Sequence, residues 1–184
     1  KSRMCVAYAY ALIEDGDKNA MEGAGQANRL FADLNVNDLV ERAYSNTIDI
    51  LEGSPVESGH YEVIFDEEMQ ASLFGVFSLM FSGKSAKDGV NPMREKLGHT
   101  IADTRLNITD QPLNSQGFGY SLFDAEGIAT AATPLITDGV LNTLIHNSAT
   151  ASFFDVATTG HASRSPKSTM GVGLHQVEIA AGEA

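Results

Sequence analysis

Apolar residues recur at helical spacing through the first half of this chain, then give way after residue 104 to short runs cut by Asp-Gly turns. That change of period constrains the fold more than any other feature. After Asn35, a natural helix cap, Val36, Leu39, Val40, Ala43, Thr47, Ile50 and Leu51 form one stripe, which Gly53 and Pro55 end. After Asp66, a second cap, Met69, Leu73, Val76, Phe77, Met80 and Phe81 form another, with Gly83 placed to close it. Asn91-Pro92 opens a third, short helix and Gly98 can terminate it. Beyond, the runs 105–109, 119–123, 128–135 and 140–146 read as strands, with turns at Asp124–Gly127 and Thr137-Asp138-Gly139. A brief helix over 149–154, a polar loop over 158–167 and a strand over 172–180 complete the pattern. Helices first and mostly antiparallel strands later predict an α+β fold.

The start of the chain adds a hairpin. Met4, Val6, Tyr8, Tyr10 and Leu12 alternate with Cys5, Ala7, Ala9, Ala11 and Ile13, so one face of the strand carries large side chains and the other mostly small ones. The large face is expected to fill a core; the small face admits a close neighbour. Glu14-Asp15-Gly16-Asp17 turns the chain, and residues 18–27 return. A further short strand is expected over Tyr61–Phe65. Two parts are anticipated: a mixed helix and strand part over 1–104, with the hairpin, and a mainly antiparallel β part over 105–184. The first residue is Lys1, and strand character begins almost at once, so the chain is expected to be a fragment of a larger two-domain protein.

Charge narrows the partners. A formal charge of −12, with Lys and Arg scattered, disfavours a nucleic-acid surface, which needs clustered cations. The lone Cys5 can build neither a disulfide framework nor a thiolate metal site. The longest largely apolar stretch, Leu73 to Phe81, is far short of the roughly 20 residues a membrane span needs. No membrane partner is expected, and a cytoplasmic location follows by default.

Motifs for chemistry are sparse. Gly83-Lys84-Ser85 lacks the upstream glycine of a phosphate loop, since Ser78 stands there. The histidines are His60, His99, His146, His161 and His175. None is spaced one helical turn from another, and the closest pair is His161 and His175, so no metal site and no cofactor are expected in this chain. The acidic run Asp66-Glu67-Glu68 suits a helix start without any catalytic role. No catalytic residue is assigned. Asp124, Gly127, Asp138 and Gly139 are expected to shape turns, with the glycines at positive φ and the aspartates bonding back to nearby amides. Arg164 and His161, in the polar loop, are the candidates for holding a peptide, Arg164 because a guanidinium can grip a carboxylate.

Four segments, in order, carry a resemblance. Residues 61–66 with Ser72-Leu73-Phe74-Gly75 resemble a "PVLFDP…ASLLGH" strand-to-helix entry. Residues 123–127, Thr130 and residues 134–141 resemble a "FDDEG…T…LIENGVL" double turn, and Thr159-Gly160-His161-Ala162-Ser163-Arg164 resembles a "TGNARR" loop. Residues 172–183 resemble the strand and "PGE" that follow. Together these are similar to the TldD/PmbA family, linked to peptide maturation and once called modulators of DNA gyrase. Members of the TldD type carry a His-Glu-x-x-x-His zinc helix after the first of these strands. Here that helix reads Glu67 to Gly75 without a histidine, which resembles the PmbA side.

The resemblance implies a non-catalytic subunit of a metallopeptidase complex acting on unfolded peptides. It implies zinc only in a TldD-type partner, and a dimer formed with that partner or with a second copy. Two other readings stay open at this level. One is an interaction protein of the gyrase or toxin–antitoxin type; the other is an independent peptidase whose site is assembled from residues such as His146, His161 and Arg164.

Overall fold

A computed structural model describes residues 3–182, which divide into two compact units, one up to Val63 and one from Ile64 onward. The division falls at 63/64, not at 104/105. Its cause is the second apolar stripe: Phe81 and Ala86 are buried in one cluster with Ile108, Leu135, Leu141 and Ile145, and Phe74, Met93, Ile101 and Leu106 pack against it. The helical stretch after residue 64 thus shares its core with the strands that follow.

In the first unit, strands β1 (Cys5–Asp15) and β2 (Lys18–Asn28) pair antiparallel from Cys5↔Asn28 to Asp15↔Lys18, and Gly16 turns between them at φ +60°. Helix α1 (Val36–Glu52) starts where the Asn35 side chain accepts the Asp38 amide. Leu39 and Ala43 of α1 pack on Ala24, Ala7 and Ala9. Thr47 is fully buried and donates its hydroxyl to the Ala43 carbonyl at 2.7 Å. A helix can approach a sheet this closely only over small side chains, so the alanine face is the covered one. The large face does not fill a core in this chain: Tyr8 and Tyr10 are 70% and 71% exposed.

The second unit opens with α2 (Glu67–Phe77), capped by Asp66, whose side chain accepts the Met69 amide at 2.7 Å. A tight 3₁₀ turn, Ser78–Phe81, follows, then α3 (Gly83–Lys87), capped by Ser82. Gly83 therefore opens a helix rather than closing one. A Cβ there would overlap the His146 ring and the Ile145 carbonyl, so the close approach demands glycine. Strands β3 (Ile108–Asp110), β4 (Thr133–Thr137) and β5 (Val140–Leu141), with β8 (Val177–Ile179), build a four-stranded antiparallel sheet in the order β5-β4-β3-β8. Between β5 and β8 lie α4 (Ser148–Phe154) and the pair β6 (Ala162–Ser163) and β7 (Gly171–Val172).

The strands are shorter than the apolar runs suggest. Residues 119–123 and 128–132 form only a bridge at Phe123↔Ala129, and Tyr61–Phe65 is exposed and outside any ladder. In the first region the bonds are scattered rather than laddered: the Ser121 amide donates to the Pro112 carbonyl, the Thr130 amide to the Leu122 carbonyl and the Ile128 amide to the Asp124 side chain.

Candidate functional site

Asp110 ends β3 with its side chain wholly buried, and two histidines meet it. The chain entering β8 folds over the carboxylate: the Gln176 amide donates to Oδ1 at 2.6 Å and the His175 amide reaches both oxygens at 3.1 and 3.2 Å. His161 leads into β6 just after Gly160, which turns at φ +69°. Its Nε2 lies 2.9 Å from Asp110 Oδ2, and its Nδ1 lies 2.7 Å from the Thr159 carbonyl. His175 brings Nδ1 to 3.1 Å from the same Oδ2. The two imidazole centroids are 5.0 Å apart. The His161 side chain is 1% exposed and that of His175 is 13%.

Burial by itself would raise the Asp110 pKa. Hydrogen bonds from His161, His175 and the Gln176 amide, with the charge of His161, outweigh it and hold the carboxyl well below its ordinary range. Among the described residues, Asp110, His161 and His175 form a group that could hold a metal ion, with their ligand atoms all within 4.8 Å of one another. No two histidines share a helical turn, so local spacing predicts no metal site. Convergence here comes from tertiary structure: one ligand ends a strand, and the others sit in loops fifty and more residues later. Asp110 and His175 carried no local signal beyond a lone acid closing an apolar run.

Arg164 is exposed and borders a polar cavity of about 240 Å³ that also meets Ser121, Asp124, Ser163 and His175. His161 lies buried behind it, bound to Asp110, and is not presented to a peptide. Asp124 folds its own turn, with Oδ1 accepting the amides of Glu126 and Ile128 while Oδ2 accepts that of Ala162. Gly127 sits at φ +81°. Asp138 and Gly139 both have positive φ, 48° and 75°, and make the two-residue bend between β4 and β5; the Asp138 amide donates to the Asn107 side chain. His146, buried beside Phe154, has its pKa lowered first by burial and then by the charge of His161.

A second, apolar feature lies between α2 and the edge strand β8. Ala71, Phe74, Leu174, Val177 and Ile179 line a groove of about 470 Å³. Leu174 also borders the polar cavity, so the two are neighbours.

Residues 58–184 match the PmbA/TldA metallopeptidase C-terminal domain, and the chain belongs to that family. A metalloprotease of Methanothermobacter thermautotrophicus is 32% identical over 69% of this chain and 28% of its own length. The metalloprotease PmbA of Escherichia coli O157:H7 is 31% identical over 54% of this chain and 22% of its own. Among solved structures, a proposed modulator of a DNA gyrase from Thermotoga maritima superposes with a TM-score of 0.87 at 25% identity, and TldE from Thermococcus kodakarensis with 0.79 at 23%. Each superposition covers 97% of this chain and about two fifths of the solved one, 40% and 41%. The chain thus spans well under half the length of these relatives.

The family name implies a metal, and α2 does not suit one. From Glu68 to Gly75 the helix offers one carboxylate, one amide and one hydroxyl, with no imidazole or thiolate.

Proposed function

We propose that this chain belongs to a peptide-holding, non-catalytic subunit of a TldD/PmbA-type metallopeptidase, working in the cytoplasm beside a TldD-type subunit that supplies the zinc. Its role would lie in peptide maturation or in the turnover of unfolded peptides. The observation that carries this reading is α2, which is capped by Asp66 and packs Phe74 against the core but has no imidazole or thiolate. The groove between α2 and β8 supports the peptide half. An extended peptide added beside an edge strand gains backbone hydrogen bonds and sets alternate side chains in an apolar cleft. Arg164, exposed at the neighbouring cavity, is suited to a peptide carboxylate.

Co-expression with a TldD-type protein tests the proposal. The expected result is a stable complex that cleaves unfolded peptides, while the full-length protein alone, supplied with zinc, does not. In the complex, Arg164→Ala should raise KM several-fold and leave kcat nearly unchanged. Peptide cleavage by the protein alone, or no complex with any TldD-type subunit, would overturn it.

A further inference from the structure

We propose that Asp110, His161 and His175 form a binding site for a first-row divalent transition ion, distinct from α2, that clamps the end of β3 to the two loops carrying the histidines. The Thr159 carbonyl, 2.7 Å from His161 Nδ1, can only accept, so that nitrogen carries a proton. In the neutral ring Nε2 then holds a lone pair and faces Asp110 Oδ2 at 2.9 Å. Asp110 is fixed as a carboxylate by the amides of residues 175 and 176. Two acceptors thus confront each other in a site shielded from water, and a cation must lie between them: a second proton on the ring, or a metal.

Three features favour the metal. A ring nitrogen anchored on a backbone carbonyl, with its other nitrogen free to coordinate, is the usual support for a ligating histidine. His175 aims a further nitrogen at the same oxygen at 3.1 Å, which a single shared proton does not require. The spacing also suits coordination. Ligand atoms at about 2.0–2.1 Å from a tetrahedral ion stand about 3.3 Å apart. The two separations from Asp110 Oδ2, 2.9 and 3.1 Å, need to open by only a few tenths of an ångström, and the two ring nitrogens stand within 4.8 Å of each other. Two imidazoles and one carboxylate suit zinc, iron(II) or cobalt(II) rather than calcium or magnesium. Three protein ligands leave room for solvent, and the polar cavity bordered by His175 and Arg164 offers a route to it.

Cobalt(II) titration of the full-length protein, followed by visible absorption and by calorimetry with zinc, tests the site. One equivalent should bind and produce the intense bands of four- or five-coordinate cobalt. His175→Gln, at the partly exposed edge, should weaken binding at least tenfold, and Asp110→Asn should do the same. His99→Gln, on an exposed histidine, should change nothing. If the histidine pair is held by a proton alone, only weak, octahedral cobalt signals appear, or His175→Gln leaves affinity unchanged; either result overturns the proposal. His175→Gln keeps the test sound should Asp110→Asn fail to fold. The outcome is separable from the proposed subunit role, which is read by peptide cleavage rather than metal content.

Discussion

Replacing Asp124 by asparagine isolates how much of this β region is held by one side chain. The residue is 6% exposed, and its two oxygens receive three backbone amides, from Glu126, Ile128 and Ala162, at 2.9, 3.0 and 2.9 Å. Asparagine has the same shape but only one oxygen. If that oxygen serves Glu126 and Ile128, the NH₂ group is turned toward the Ala162 amide, donor against donor, and Ala162 is itself buried. One charge-assisted bond, worth about 1.5–3 kcal/mol, disappears and a buried N–H loses its partner. The flipped amide is worse, because it abandons two bonds instead of one. The expected cost of Asp124→Asn is therefore about 3 kcal/mol. Asp124→Ala, which strands all three amides, should cost about 4–5 kcal/mol, less than the sum because the turn relaxes toward water. Urea denaturation gives the global loss, and amide exchange at Ala162 gives the local one, which should accelerate by about two powers of ten. A loss below about 0.5 kcal/mol with unchanged protection at Ala162 would refute the claim that this carboxylate stands in for a strand neighbour.

Other outcomes follow from the same geometry. Leu39→Ala, at a residue 3% exposed beneath the alanine face of β1 and β2, should cost about 2–5 kcal/mol, read by thermal or urea unfolding. Gly139→Ala should cost about 2 kcal/mol or more, because the position has φ +75° and a Cβ would overlap the Ala102 carbonyl. His146 has a lowered pKa when folded, so below its ordinary value the unfolded chain takes up a proton that the folded chain refuses. Stability is thus intact above pH ~6.5 and falls on acidification, by at most about 1.4 kcal/mol per pH unit from this group. His146→Gln should flatten the stability profile just below pH ~6.5; an unchanged slope would show that the ring is not held neutral.

How far the sequence reading reached depended on how local each cause is. Asn35 and Asp66 announced α1 and α2 because a cap acts within one helical turn, on the amides of Asp38 and Met69. The hairpin β1–β2 and the Asp138-Gly139 bend were likewise legible from alternation and positive-φ residues. Alternation in β1 separated a large face from a small one, yet it could not say which would be covered. Closeness of α1 decided that, and closeness favours alanine over tyrosine. The later strands were overestimated because their amides find scattered acceptors, the Pro112 carbonyl for Ser121 and the Asp124 carboxylate for Ile128, and no window of sequence shows which acceptor an amide will take. Tyr61–Phe65 has strand-forming residues but finds no neighbour among the described ones. The same limit hid the site: residues 110, 161 and 175 become neighbours only when β8 pairs with β3.

That contrast bears on how metal content should be read in this family. A zinc helix states its ligands in one short stretch, and α2 states their absence equally plainly. A cluster assembled across β3, β6 and the entry to β8 says nothing locally, yet it places two imidazoles and a carboxylate within reach of one ion. Bound metal in this protein would therefore not by itself restore a peptidase, nor would an inactive protein imply a metal-free one. On these proposals the two properties answer to different substitutions, although both residues line one cavity: His175→Gln for the ion, Arg164→Ala in the assembled complex for the peptide. If His175→Gln released the ion and also abolished cleavage by the protein alone, ion and activity would belong to one centre, and the division of labour argued from α2 would have to be abandoned.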